Sequence, residues 1–136
     1  FVQKHYKSED MPGLQREFAG RGVTWFVINS ANRNHENYLT PEKAQPVARD
    51  WAISSAQMIK DEQGTIGRLF GAKTTPHLFV INRGTMAYQG AIDNDPTTDG
   101  KPAEAINYVR QALNELLAGT PVSKASVKPY GCSVKY

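Results

Sequence analysis

Apolar residues along the chain change their spacing at turn-forming residues, and each change marks an element. Met11, Leu14 and Phe18 fall at i, i+3 and i+7, one face of a helix, so residues 1–19 read as two helical pieces. Asp10 can cap the second piece ahead of Pro12, and Gly20 and Gly22 end it. Val23 to Ile28 is almost continuously apolar, β-branched and aromatic, the pattern of a strand buried on both faces of a parallel sheet, and Asn29 closes it. Thr40-Pro41-Glu42 then supplies an N-cap, a first-turn proline and a first-turn carboxylate for a helix with Ala44, Val47, Ala48 and Trp51 as its buried stripe.

A short strand follows around Gln57 to Ile59, and Asp61 to Gly64 turns the chain into a short helix carrying Ile66, Leu69 and Phe70, stopped by Gly71. Thr74-Thr75-Pro76 leads into the apolar run Leu78 to Ile81. Asn82-Arg83-Gly84 turns it into a second strand, Thr85 to Ile92, making an antiparallel hairpin. The final helix is expected to begin near Pro102 and to bury Ile106, Val109, Leu113, Leu116 and Leu117 before Gly119 and Pro121 break it. Residues 120–136 show no periodicity. The expected organisation is one domain over 1–119 and a tail over 120–136 that carries Cys132.

A length of 136 residues suits one hydrophobic core. No apolar run approaches the ~20 residues of a membrane helix, so no membrane span is expected. The net charge of +3 is spread over Lys4, Lys43, Arg68 and Arg110 among others, with no basic stripe of the kind that binds nucleic acid. Cys132 is the single cysteine, which excludes an internal disulfide and any multi-cysteine zinc site built by these residues alone.

The opening Phe1-Val2-Gln3-Lys4-His5-Tyr6 resembles the start of the active-site helix in thioredoxin-like proteins of the alkyl hydroperoxide reductase and thiol-specific antioxidant superfamily, where a Cys-Pro-Phe-Val stretch begins that helix. Tyr38-Leu39-Thr40-Pro41-Glu42 resembles the same family. So do Phe70-Gly71-Ala72-Lys73-Thr74-Thr75-Pro76-His77 and the terminal Lys128-Pro129-Tyr130-Gly131-Cys132-Ser133-Val134-Lys135-Tyr136. The resemblance implies an α/β, thioredoxin-like fold: a central mixed sheet flanked by helices, here without its N-terminal strands. It also implies a cysteine and a proline immediately before Phe1, in which case the strand at Val23 to Ile28 lacks one sheet neighbour.

In such a family the nucleophile is a thiolate at a helix N-terminus, where unpaired N–H groups stabilise negative charge. Phe1 and Val2 would begin that helix on the substrate side; Lys4 and His5 in its opening turns could add positive potential, but are read first as solvated side chains on an exposed face. The resemblance makes Pro76 a cis-proline, with Thr75 presenting backbone groups to an extended substrate and His77, a structural or partly exposed histidine, beside it. Cys132 is the candidate resolving cysteine, with Gly131 giving its backbone freedom; a free tail cysteine with no catalytic part and a disulfide between two copies are the alternatives.

The implied activity is thiol-dependent oxidoreduction, either peroxide reduction or thiol–disulfide exchange, with an external thiol reductant and no cofactor or resident metal. An exported, bacterial periplasmic location is implied by the same resemblance. Two other readings stand beside it. One is a redox-silent thioredoxin-like interaction domain. The other is a copper-binding module of the same fold, for which His5, His35, His77 and Cys132 are the candidate ligands, although their spacing matches no dense metal motif.

Overall fold

The structure is a computed structural model that describes residues 1–100 and 104–136. In chain order the elements are α1 (Val2–Lys7), α2 (Asp10–Ala19), β1 (Trp25–Asn29), α3 (Pro41–Asp50), β2 (Ala56–Lys60) and α4 (Thr65–Phe70). They are followed by β3 (Thr74–Thr75), β4 (Leu78–Asn82), β5 (Thr85–Gly90), α5 (Tyr108–Leu117) and β6 (Cys132–Ser133). The fold is α/β. The described strands pair two by two, β1 with β2, β3 with β6 and β4 with β5, so the expected central mixed sheet is present only as separate ladders. No helix among the described residues is long and apolar enough to cross a membrane.

Two compact units contain these elements. The first holds Phe1–Ser8 and Lys73–Cys132, the second Glu9–Ala72 and Ser133–Tyr136.

In the first unit, Arg83 and Gly84 sit at φ 50° and 78° between the paired residues Asn82 and Thr85, a two-residue turn whose twist suits a hairpin. The register slips between Val80 and Ile81, and Ile81 comes to face Met86 on an open surface while Val80 and Tyr88 stay buried. α5 packs on β4 and β5 through Val109, Ala112 and Leu113, which recur at helical spacing. This helix begins at Tyr108, not near Pro102, which lies outside the described residues, because Asn107 caps it by accepting from Arg110 N at 2.8 Å. Ile106 therefore precedes the helix and is 57% exposed, and Leu117 lies on its outer face. The tail is also ordered: Ser126 bridges Gln89 in parallel, and Val127 N donates to Gln89 O at 3.1 Å.

In the second unit, α2 buries Met11, Leu14 and Phe18, as their spacing predicts. Its N-cap is Glu9 in the left-handed region, with Asp10 as the first helical residue and not the cap. β1 pairs in parallel with β2 from Trp25↔Ala56 to Asn29↔Lys60, and with no other described strand. Phe26 is consequently 54% exposed, against the expectation of a strand buried on both faces. α3 is capped by Thr40, as predicted, but its stripe of Ala44, Val47, Ala48 and Trp51 is only half-buried. Pro46 interrupts the helix interior, and its missing N–H removes one backbone bond.

Asp61 organises the start of α4. Its carboxylate accepts from Ser30 Oγ at 2.8 Å, Ile66 N at 3.1 Å and Gly67 N at 2.8 Å. Burial alone would raise its pKa, but these bonds to the charged form hold it below the ordinary carboxylate value. On the same helix, Tyr136 lays its ring where side chains are missing. A Cβ on Gly67 would stand 2.8 Å from the ring, Arg68 covers the ring at 4.4 Å, and the Tyr136 hydroxyl donates to Ala72 O at 2.8 Å.

Two outcomes follow for this unit. Because the Asp61 pKa is depressed on folding, its contribution is full above the unfolded value of about 4 and is lost as pH falls through the lower folded value. Asp61→Asn is expected to flatten the acid limb of stability in urea titrations across that range. Gly64 sits at φ 69° under the Tyr136 ring. Gly64→Ala is expected to cost about 1 kcal/mol or more, and less in a Tyr136→Ala background, where only the backbone strain persists; a double-mutant cycle by chemical denaturation measures both.

Candidate active site

Every residue that the sequence nominated for the reaction lies in the first unit: Phe1 and Val2 at the start of α1, Thr75, Pro76 and His77 ahead of β4, and Cys132 at its end. The Thr75–Pro76 peptide bond is cis, as expected. Gly131 passes so close to the Thr75 carbonyl that an added Cβ would overlap it, and Cys132 pairs into β3 as the first residue of β6. Cys132 is a free, exposed cysteine.

His77 is half-buried. Its ring stacks on Phe79 at 4.4 Å between centroids, and its Nδ1 accepts from Lys73 N at 3.2 Å. Burial first, and then the neighbouring Lys73 charge, lower its pKa.

The largest departure from the sequence reading concerns Lys4 and His5, expected on an exposed face. His5 is 1% exposed, and the Lys4 side chain is 3% exposed. The segment after β5 covers them. Lys4 Nζ donates to Asp95 O at 2.7 Å and Thr97 O at 2.8 Å, lies 3.7 Å from an Asp95 carboxylate oxygen, and stands 5.3 Å over the Tyr130 ring. An ammonium held by two carbonyls, a carboxylate and an aromatic face is buried without being left uncompensated.

Tyr130 joins this arrangement to the tail. Its hydroxyl donates to Asp93 Oδ1 and lies 3.1 Å from His5 Nε2, while its ring sits 6.0 Å from that of Phe1. Asp93 is 2% exposed; its second oxygen is 3.8 Å from His5 Nδ1 and has no hydrogen-bond partner among the described residues. Beside the cluster, Asp93, Asn94, Pro96, Tyr108, Val127 and Tyr130 line much of an open cleft of about 350 Å³.

Sequence reasoning missed Asp93 and Tyr130. Tyr130 stood inside the terminal motif beside Cys132, yet only the thiol was assigned a role. Nothing in Asp93-Asn94-Asp95 distinguishes it from a solvated polar turn until α1 is laid against it. The candidate copper ligands are locally engaged instead: His5 with Tyr130, His77 with the Lys73 amide, and His35 Nδ1 with Asn37 N at 3.1 Å.

Lys4→Met is expected to lower stability by about 1–2 kcal/mol in urea unfolding, because the Asp95 and Thr97 carbonyls and the Asp95 carboxylate lose the ammonium they share; a change within about 0.5 kcal/mol would mark Lys4 as a surface residue. The His77 ring proton followed by NMR is expected to titrate below the ordinary value of about 6.5. With its folded pKa depressed, the stability attached to His77 falls as pH drops below that value, which His77→Gln would abolish.

No family model matches the chain, and none of the curated proteins does. Among the solved structures that resemble it are two bacterial proteins. One is an uncharacterized conserved protein from Geobacillus kaustophilus, 26% identical with a TM-score of 0.83, aligned over all of this chain and 70% of that one. The other is a hypothetical protein from Sinorhizobium meliloti 1021, 24% identical with a TM-score of 0.81, aligned over 95% of this chain and 70% of that one. The α/β fold of this chain is therefore one that bacterial proteins of low sequence identity also adopt.

Proposed function

We propose that this chain is a thiol-dependent oxidoreductase of thioredoxin-like fold, whose nucleophile is a cysteine immediately before Phe1 and whose resolving thiol is Cys132. The fold reading draws on element order: a helical pair, a parallel strand pair with its intervening helix, a proline-led antiparallel hairpin and a final helix. The observation that carries the functional reading is the course of the tail. Tyr130 packs on Phe1 and His5 of α1, Gly131 passes Thr75, and Cys132 follows on β3, so one short stretch connects the start of α1 with the only thiol of the chain.

The chemistry then runs in three balanced steps. The upstream thiolate attacks the terminal oxygen of a hydroperoxide; the O–O bond breaks, the sulfur becomes a sulfenic acid and an alcohol or water leaves. With a disulfide as oxidant, the same thiolate forms a mixed disulfide and a thiol leaves. Cys132 as thiolate attacks that sulfur, expelling water or the second thiol and closing a disulfide. An external dithiol takes the disulfide back to two thiols and is itself oxidised. A periplasmic location belongs to the same reading, since exported thiol enzymes work against an oxidising background.

The coding sequence upstream of Phe1 is the first test, and an in-frame Cys-Pro is expected there. Any other pair leaves a redox-silent interaction domain. In protein carrying that cysteine, peroxide or a small disulfide is expected to produce a disulfide that includes Cys132, mapped by mass spectrometry. Cys132→Ser should lower multiple turnover by on the order of tenfold while a single oxidation still occurs. Turnover indifferent to Cys132 would remove its resolving role.

A further inference from the structure

Two buried side chains of the first unit turn potential ligand atoms toward each other. His5 is 1% exposed and Asp93 2%, and His5 Nδ1 stands 3.8 Å from Asp93 Oδ2. The two residues are far apart in sequence, and backbone structure places each of them. His5 lies within α1; Asp93 bridges Asn107 in antiparallel fashion, and the adjoining Tyr108 N donates to Ile92 O at 2.8 Å.

One hydroxyl orients both side chains. Tyr130 gives its hydroxyl hydrogen to Asp93 Oδ1, which also accepts from Asp95 N at 3.0 Å. The same hydroxyl meets His5 Nε2, 3.1 Å away, as an acceptor, so the ring hydrogen sits on Nε2 and the neutral imidazole carries its lone pair on Nδ1. Asp93 Oδ2, by contrast, is buried with no hydrogen-bond partner among the described residues. A nitrogen lone pair and a carboxylate oxygen that face each other away from water are stable only with positive charge between them.

We infer that His5 Nδ1 and Asp93 Oδ2 are two ligands of a divalent metal ion. Ligand atoms about 2.0–2.1 Å from a zinc ion lie about 3.4 Å apart at the tetrahedral angle, and a somewhat wider angle gives the 3.8 Å seen here. A metal-bound histidine ordinarily donates its other ring N–H, and a metal-bound carboxylate ordinarily accepts hydrogen bonds on its other oxygen; Tyr130 answers both. One nitrogen, one oxygen and no sulfur suit zinc or a comparable borderline ion, which sets this site apart from a thiolate copper site. Two such ligands leave the other positions to water or further oxygen donors. The ion is structural: it ties α1 to the segment after β5. No thiol takes part, so the inference is independent of the proposed function.

Zinc titration of the full chain carrying Cys132→Ser tests it, followed by calorimetry and by NMR of the histidine rings. Zinc is expected to bind, to shift the His5 ring signals while those of His35 and His77 stay in place, and to raise the urea midpoint of unfolding. His5→Gln and Asp93→Asn are each expected to abolish that binding. Tyr130→Phe keeps the ring but removes the orienting hydroxyl, and is expected to weaken binding by about tenfold to a hundredfold. The His5 ring signals decide the matter even where a variant fails to fold. Absence of zinc binding overturns the inference, as does binding that leaves the His5 signals unmoved or survives both ligand substitutions. So does a His5 ring that keeps hydrogens on both nitrogens in the presence of zinc, because an imidazolium paired with Asp93 then supplies the positive charge.

Discussion

Tyr130 has one hydroxyl hydrogen, and Asp93 receives it. The hydroxyl oxygen can therefore meet His5 only as an acceptor, which makes His5 Nε2 the donor and fixes the orientation of that ring. A hydrogen bond of this kind contributes about 0.5–1.5 kcal/mol, a noticeable part of a small domain's margin. More depends on it than its own energy. The bond ties α1, the segment after β5 and the tail into one cluster, and the burial of Lys4 beside it makes sense only with all of them in place.

The second unit uses the same device with different groups. Asp61 answers the first amides of α4 and the Ser30 hydroxyl, and Tyr136 closes over the helix where Gly64 and Gly67 carry no side chain. In both units a buried carboxylate accepts from a stretch of chain distant in sequence, Ser30 for Asp61 and Tyr130 for Asp93, and an aromatic residue of the tail packs beside the cluster. The tail thus packs on each unit and is not an appendage, although its sequence has no amphipathic period.

Chemically, this arrangement separates two jobs. Tyr130 and Gly131 determine where the backbone runs, and Cys132 stands exposed at the end of that run. Neither Lys4 nor His5 is a loose side chain at the start of α1: one is held by carbonyls and a carboxylate, the other by a hydroxyl. Both hold α1 against the segment after β5 and the tail.

The sequence by itself determined the elements whose cause is local. Met11, Leu14 and Phe18 declared the buried face of α2, Thr40-Pro41 the start of α3, Arg83-Gly84 the hairpin turn, and Thr75-Pro76 the entry to β4, because spacing, caps and turn dihedrals act within a few residues. It could not show what covers an element. The apolar run at Val23 to Ile28 looks the same whether one neighbour or two pair with it, so Phe26 looked buried and is not. Ile106 had the correct period for α5 but lies ahead of the Asn107 cap. Tertiary structure alone decided the fate of Lys4, His5, Asp93 and Tyr130, since a polar side chain is buried only when partners distant in sequence answer its hydrogen bonds, and one-dimensional order carries no record of those partners.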